Sequence, residues 1–253
     1  MLGGPLGAVL GAALGHKFDK GLEGLPAGGI EWDSGDRERV QTAFFTATFT
    51  VMGRVAKADG RVTAEEIGLA EMVMSQMSLS PEMRQTAIRL FNQGKADDFP
   101  LDQVLEQFRQ ECHRRQTLVQ MFLEIQLQAA YADGRMDAAE EALLLHICER
   151  LNISEFTFRR LEQMIRAERH GAGRRQAAAP QGLSLADAYA ILDVKPGASD
   201  QEVKKAYRRL MSQHHPDKLV AKGLPEEMMK LAVQKTKEIR KAYELIKESR
   251  GMR

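Results

Sequence analysis

The sequence predicts an all-α protein with four parts: a short apolar helix, a duplicated helical hairpin, a linker and a C-terminal helical hairpin. Apolar residues recur at spacings of three and four, helix-capping residues precede many of the apolar runs, and one Asp-Gly phrase occurs twice. The 253 residues are 43% hydrophobic and 28% charged, which is typical of globular proteins. This composition argues against a disordered chain, a collagen-like chain or a polytopic membrane protein.

The charge is balanced overall but divided unevenly along the chain. The net charge is +1, yet residues 187–253 carry 15 basic and 10 acidic side chains, which leaves an acidic front part. This asymmetry predicts separate modules with separate partners. The two cysteines, Cys112 and Cys148, lack C-x-x-C spacing, so neither a disulfide scaffold nor a thiolate zinc site is expected. A reducing, cytosolic compartment fits the bulk of the chain.

Residues 1–20 predict a membrane segment. The first 15 residues are uncharged and basic residues follow at once, which would hold the C-terminal side in the cytoplasm. Small residues at every fourth position would form a ridge along which two copies associate in lipid: Gly3, Gly7, Gly11 and Gly15. A bilayer span needs about 20 apolar residues, so a start further upstream would complete the anchor. A signal peptide and a flexible Gly-rich leader are the alternatives.

Residues 36–168 contain an internal repeat with an offset of 74 residues. The phrases K-A-D-G-R at 57–61 and Y-A-D-G-R at 131–135 each follow an apolar helical face. Gly60 and Gly134 can take the left-handed conformation that ends a helix, and a capping box then starts the next helix. The two boxes are Thr63 with Glu66 and Asp137 with Glu140. A duplicated helical hairpin explains this pattern.

The acidic residues of the repeat have two interpretations. Capping and turn roles account for them without any ligand, whereas a divalent cation would need their carboxylates to meet in space. The residues concerned are Asp59, Glu66, Asp133 and Glu140. The repeat resembles the TerB-like helical domain of tellurite-resistance proteins, and this resemblance implies suspected metal sites at the two acidic motifs. The structural interpretation is preferred, so neither a metal nor another cofactor is expected.

Residues 169–183 predict a flexible linker and a domain boundary. They are rich in Arg, Gly, Ala and Gln and lack a sustained apolar periodicity. Their arginines could contact RNA or lipid headgroups, but a solvated tether is the preferred interpretation.

The C-terminal region, residues 184–253, predicts three helices. Ser184 is a good N-cap for the first helix, and either Ser199 or Asp200 can cap the second. The second helix carries a stacked basic face of Lys204, Lys205, Arg208 and Arg209. It ends at a His-His-Pro-Asp-Lys run, and because proline disfavours helical geometry in the preceding residue, we expect a loop from His215. The third helix should start near Pro225.

Four phrases in this region occur in a characteristic order. They are D-A-Y-A-I-L-D-V at 187–194, V-K-K-A-Y-R-R-L at 203–210, H-P-D-K at 215–218 and I-R-K-A-Y-E-L at 239–245. The His-Pro-Asp triplet follows a basic amphipathic helix and precedes a helix with Ala-Tyr-Glu-Leu. Together the phrases resemble a J domain of the DnaJ family. The chain departs from many J domains at Thr236, where phenylalanine is common.

A J domain is not an enzyme, so no catalytic residue is expected. The resemblance implies that it docks on a DnaK-type chaperone and stimulates that partner's ATP hydrolysis. The residues predicted to bind the chaperone are Lys204, Lys205, Arg208, Arg209, His215, Pro216, Asp217 and Lys218. Asp217 can accept paired hydrogen bonds from a partner arginine, and Pro216 holds the shape of the segment. Nucleic acid is not an expected partner of the basic face.

The order of glycine-ridged segment, TerB-like bundle and C-terminal J domain resembles the membrane-anchored DnaJ-like co-chaperones of Gram-negative bacteria. This resemblance covers essentially the whole chain. It implies a single N-terminal anchor in the inner membrane, a cytoplasmic bulk, and recruitment of a DnaK-type chaperone to clients or regulators at the membrane. The alternative is a metal-responsive TerB-like stress module that recruits a chaperone. A hydrolase is not expected, since neither a nucleophile elbow nor a phosphate loop occurs.

Overall fold

The fold is taken from a computed structural model, and it confirms the predicted all-α class. The structure describes residues 3–14, 34–58, 79–131, 134–173 and 183–252, with six isolated positions between residues 60 and 77. No strand occurs among these residues. The helices are, in chain order, α1 (Gly4–Leu14), α2 (Ser34–Ala56), α3 (Pro81–Gly94), α4 (Leu101–Glu111), α5 (Gln116–Ala130), α6 (Ala138–Arg150), α7 (Glu155–Gly173), α8 (Leu185–Ile191), α9 (Asp200–Gln213), α10 (Pro216–Ala221) and α11 (Met229–Arg250), with a 3₁₀ turn at Glu226–Met228.

The middle domain, which comprises α2 to α7, is organised around the 23-residue helix α2. This helix packs against α3, α4 and α5. Phe44 of α2 meets Phe108 of α4 and Phe122 of α5, with ring centroids 6.1 and 6.4 Å away, and all three rings are fully buried. Because aromatic rings bury large apolar areas, this cluster fixes how the three helices pack.

Helices α2 and α3 cross with their backbones in contact. A Cβ atom at Gly53 would overlap the carbonyl oxygen of Phe91, and one at Gly94 would overlap the carbonyl oxygen of Thr50. Both overlaps are with backbone, which cannot swing aside as a side chain can, so the crossing requires glycine at both positions. This pair of glycines sets the distance between α2 and α3.

The predicted helix caps are confirmed wherever the structure describes them. Asp137 caps α6 and forms the full capping box with Glu140, with hydrogen bonds of 2.8 and 2.9 Å. Gly60 and Gly134 take positive φ values of 83° and 94° at the ends of the repeated phrases. Ser184 caps α8 as predicted, and of the two candidates for α9 it is Ser199 that caps the helix. Ser80 caps α3 in the same way. Local sequence therefore determines where these helices begin and end.

The C-terminal domain, which comprises α8 to α11, forms its core without the common phenylalanine. Thr236 is half-buried, and its hydroxyl donates to the carbonyl of Val233 at 2.8 Å. Ile239 of the same helix is fully buried. Helices α9 and α11 pack together, with the rings of Tyr207 and Tyr243 stacked at 4.1 Å between centroids. The departure at position 236 is therefore accommodated within this hairpin.

Helix α7 is longer than predicted and reaches five residues into the predicted linker, ending at Gly173. Residues 166–169 read R-A-E-R, which are strong helix formers and carry the helix to the start of the predicted linker. The helix then continues through H-G-A-G at 170–173, which helix propensity does not explain. Residues 174–182 lie outside the described part, and the linker remains a prediction there. Helix α7 packs against α8, which brings the middle and C-terminal domains into contact.

Helix α1 lies against the middle domain and contacts α2, α3 and α4. Leu6 is fully buried, and its N–H donates to Oε1 of Gln107 at 2.7 Å. The predicted glycine ridge is described in part: Gly3 and Gly11 face open space, Gly7 is half-buried and Gly15 lies outside the described residues. Within the described ranges, no helix is long and apolar enough to cross a membrane.

Candidate functional site

The His-Pro-Asp segment (residues 215–217) forms the start of α10. His215 is the N-cap with extended backbone, φ −63° and ψ 123°, and Pro216 is the first helical residue. The sequence predicted a loop from His215, and in this respect the prediction was wrong, since a six-residue helix begins at once. Proline disfavours helical geometry only in the residue before it, and proline itself suits the first helical position, where no N–H is needed.

The side chains of the His-Pro-Asp segment are open to solvent. The His215 side chain is 48% exposed and that of Asp217 is 87% exposed, and His215 Nδ1 lies 4.0 Å from Asp217 Oδ2. At that distance the two groups do not hydrogen-bond to each other, so both can bind a partner. Lys218 Nζ donates to Ser212 Oγ at 2.6 Å, which ties α10 to α9.

The basic face of α9 leads to this segment. Lys205 and Arg208 are exposed, and Lys204 is half-buried. Arg209 is already engaged, because its Nη2 donates to Asp193 at 3.0 Å. The exposed members form a positive surface that can attract an acidic partner.

A second group of charges lies next to the segment, and sequence reasoning missed it. His214, which ends α9, is buried, and its Nε2 lies 3.7 Å from a carboxylate oxygen of Glu124 in α5. Lys235 of α11 lies 2.7 Å from Glu168 of α7 and 3.4 Å from Glu124. We call these four residues the interdomain charge cluster, because two come from the middle domain and two from the C-terminal domain.

Burial and charge act in opposite directions within the cluster. Burial raises the pKa of Glu168 to about 7, against the attraction of Lys235. Burial also opposes ionisation of Glu124, but the attraction of the Lys235 ammonium is the largest of the effects that outweigh it, and the pKa of Glu124 is lowered. Burial lowers the pKa of His214 and disfavours charge on Lys235, whose two carboxylate neighbours nevertheless raise its pKa. Near neutral pH the cluster therefore holds an ionised Glu124, a charged Lys235 and a neutral His214.

One sequence feature could have located Glu124. It is a single acid within the apolar run M-F-L-E-I-Q-L (residues 121–127), in which every residue is buried. A buried carboxylate needs a partner, so its presence in this run indicates a polar contact from outside the helix. The partners could not be found in the same way, because Lys235 and Glu168 lie 67 residues apart and follow no local pattern.

The candidate metal ligands of the repeat are described only at Glu140. Its carboxylate accepts the backbone N–H of Asp137 at 2.9 Å, which is the capping role that the sequence predicted. The other candidates lie outside the described residues: Asp59, Glu66 and Asp133. Among the residues that are described, no group of three or more His, Cys, Asp or Glu side chains could hold a metal ion.

Three sequence families match the chain. The family of tellurite resistance protein TerB matches residues 45–163, and the DnaJ domain family matches residues 187–251. The family of the co-chaperone DjlA transmembrane domain matches residues 1–25. The TerB-like and J-domain resemblances are thus confirmed, and a family transmembrane domain covers the predicted membrane segment. No solved structure matches the chain.

Curated relatives match along the whole chain. The co-chaperone protein DjlA of Coxiella burnetii is 46% identical over 255 residues, covering 100% of this chain and 94% of that protein. DjlA of Photobacterium profundum is 45% identical over 270 residues, covering 100% and 96%. DjlA of Escherichia coli K12 is 45% identical over 261 residues, covering 100% and 94%. With this identity over the whole chain, and with matches to the TerB, DnaJ and DjlA transmembrane families, the chain belongs to the DjlA family of co-chaperones.

Proposed function

We propose that this chain recruits a DnaK-type chaperone to the membrane and stimulates its ATP hydrolysis, so that the chaperone acts on clients or regulators there. The observation that carries the proposal is the exposed pair His215 and Asp217 at the start of α10, beside the basic face of α9. The chain would act as an activator, because it supplies contacts and the partner supplies the ATPase chemistry.

The basic face serves the encounter between the two proteins. Lys205 and Arg208 attract an acidic surface over a range of about 10 Å at 0.1 M salt, so association should weaken as salt rises. Within the complex, Asp217 accepts paired hydrogen bonds from an arginine of the chaperone, and the His215 ring positions the segment. Contacts made only in the hydrolysis-competent state of the partner shift its population towards that state.

Single-turnover ATP hydrolysis by a DnaK-type chaperone tests the proposal. The full chain should accelerate hydrolysis, and His215→Gln should abolish the acceleration while circular dichroism shows an unchanged fold. His113→Gln is the matched control, since His113 is an exposed histidine of the middle domain. Acceleration by His215→Gln equal to that of the unaltered chain would refute the assignment of this segment.

We place the anchor in the inner membrane with the bulk of the chain on the cytoplasmic side. The match of residues 1–25 to a transmembrane domain family and the basic residues after residue 15 support this placement. Added protease should digest the C-terminal domain in inverted inner-membrane vesicles and leave it intact in sealed spheroplasts. The reverse pattern would contradict the topology.

The glycine ridge is proposed to associate two anchors as a homodimer. Glycines at every fourth position let two helices approach closely in lipid. Crosslinking in vesicles should give less dimer for Gly7→Ile and Gly11→Ile than for the unaltered chain. Ala8→Ile, on another face of the same helix, is the control and should leave the dimer yield unchanged. Equal yields for all variants would rule out the ridge as the contact.

A further inference from the structure

The middle and C-terminal domains are joined by buried charges next to the His-Pro-Asp segment. The side chains of the interdomain charge cluster are only 5% to 9% exposed. Glu124 and Glu168 come from α5 and α7, Lys235 from α11, and His214 from the end of α9. The residue that precedes the His-Pro-Asp segment and the helix that packs against α10 therefore both contact carboxylates of the middle domain.

Helix α5 contacts the chain on both sides of the segment. Before the segment, His214 lies against Glu124, with 3.7 Å between the ring nitrogen and the carboxylate oxygen. After the segment, Lys222 ends α10 and its Nζ donates to Thr117 Oγ1, in the first turn of α5, at 2.9 Å. The position of α10 is thus set by the middle domain as well as by the core of its own domain.

Stability alone does not explain a charge cluster at this place. Well-packed apolar residues of similar volume often stabilise an interface as much as a buried ion group does, or more. A buried ion group differs from apolar packing because it favours one arrangement of its members: any arrangement that separates them leaves an uncompensated buried charge. Glu124 contacts both His214 and Lys235, so one carboxylate relates the end of α9 to α11.

We propose that Glu124 is a positioning residue for chaperone activation. Together with Thr117 it makes α5 of the middle domain the element that fixes how the His-Pro-Asp segment is presented to the chaperone. The TerB-like bundle is then part of the activating device and not only a spacer between membrane and J domain. This proposal rests on the proposed function of the segment. The exposed basic face is untouched by the cluster, so Glu124 acts on the activation step and not on the encounter.

Glu124→Gln in the full chain is the main test, since it keeps the shape of the side chain and removes its charge. Single-turnover ATP hydrolysis by a DnaK-type chaperone is measured over a range of co-chaperone concentrations. We expect the maximal stimulated rate to fall roughly fivefold, which is at the low end of the effects that one site typically has on another. The half-saturating concentration should change less than about twofold. An unchanged maximal rate would overturn the proposal.

Glu162→Gln is the matched control within the same domain. The carboxylate of Glu162 accepts the hydroxyl of Tyr131 at 2.6 Å and pairs with Arg159 at 3.2 Å, both of them residues of the middle domain. Its loss should leave the maximal rate and the half-saturating concentration unchanged. A fall in maximal rate equal to that of Glu124→Gln would mean that any weakening of the middle domain suffices, which would overturn a positioning role.

Thr117→Val provides a milder second variant, in case Glu124→Gln does not fold. It removes the acceptor of Lys222 and keeps the side-chain shape, and we expect a roughly twofold lower maximal rate. Amide hydrogen exchange gives a measure that needs no chaperone. Exchange of the hydrogen-bonded amides of α10, residues 219–222, should be faster in Glu124→Gln or Thr117→Val than in the unaltered chain, with the parts of α9 and α11 distant from His214 and Lys235 unchanged. Equal protection of α10 would overturn the proposal.

His215→Gln separates failure of this proposal from failure of the proposed function. Stimulation that is lost in His215→Gln but intact in both Glu124→Gln and Thr117→Val would overturn the positioning role alone. Absence of stimulation by the unaltered chain would overturn the proposed function, and the exchange measurement would then decide whether α5 orders α10.

Discussion

The interior of the middle domain and its junction with the C-terminal domain are held together by different physics. In the interior, α2 and α3 approach through Gly53 and Gly94, where backbone meets backbone and the fit depends on shape. At the junction, Glu124, Glu168 and Lys235 are buried together and the fit depends on charge. The backbone contact between α2 and α3 leaves no room for a larger side chain, whereas the buried ion group does not tolerate the loss of one of its partners. The two regions should therefore fail under opposite kinds of substitution.

The largest effect is expected for added volume in the interior. Gly94→Val places its side chain against the carbonyl oxygen of Thr50 and forces α2 and α3 apart. We expect a loss of at least about 5 kcal/mol in the free energy of unfolding, which few single substitutions reach. Urea unfolding followed by circular dichroism measures this loss. Gly35→Val is the control, since nothing lies within 4 Å of a Cβ at Gly35, and a loss as large there would contradict the argument.

The second largest effect is expected for a lone charge at the junction. Lys235→Met keeps most of the side-chain volume but leaves Glu124 and Glu168 buried without their shared cation. We expect destabilisation of about 4 kcal/mol, as is typical when one partner of a buried ion group is removed. Lys241→Met changes an exposed lysine of the same helix and should cost less than about 0.5 kcal/mol.

A double substitution decides whether charge is the cause. Glu124→Leu with Lys235→Met removes both members of one buried pair, and Glu168, whose pKa burial raises to about 7, can take up a proton and become neutral. The double variant should therefore be less destabilised than the sum of its single variants, by at least about 1 kcal/mol in a double-mutant cycle. Strict additivity would mean that Lys235 contributes through packing and not through charge.

The sequence predicted the local features of both domains and missed the contacts between distant residues. The capping box of Asp137 with Glu140 and the cap Ser184 at the start of α8 were predicted, because a cap depends on residues within one turn of each other. The glycine crossing and the charge cluster were not predicted, because their members are distant in sequence and meet only in the folded chain. The extra length of α7 was missed because its last residues, R-H-G-A-G at 169–173, include two glycines, and local propensity does not favour a helix there.

The candidate site shows the same division. The exposed His215 and Asp217 could be located from a short motif and its position after a basic helix. The residues that hold that motif in place, Glu124 and Thr117, lie in another domain and follow no motif. Sequence patterns thus identify the exposed residues of the site, whereas the structure is needed to find the distant residues that position them.

An intermediate effect is expected from titration of Glu168. Burial raises its pKa from the ordinary value of 4.5 to about 7, so the folded state binds this proton more tightly than the unfolded chain does. The stability that Glu168 contributes is therefore fully present below about pH 4.5 and is lost as the pH rises through 7. Relative to Glu168→Gln, the unaltered chain should lose on the order of 2 kcal/mol between pH 5 and pH 8. Urea unfolding at the two pH values measures this difference, and a constant difference would contradict the shift.

The smallest effect is expected at the rim of the junction, where the side chains are only partly buried and the packing is not tight. Asp193 accepts hydrogen bonds from Arg160 at 3.2 Å and Arg209 at 3.0 Å, and its φ of 56° suits asparagine as well as aspartate. Asp193→Asn should cost less than about 1 kcal/mol, and the cost should shrink in 1 M salt, where screening acts over about 3 Å. Unfolding at 0.1 and 1 M sodium chloride checks both statements. A cost that is large and independent of salt would place Asp193 inside the buried junction, and the charge cluster would then extend from Lys235 to the basic face of α9.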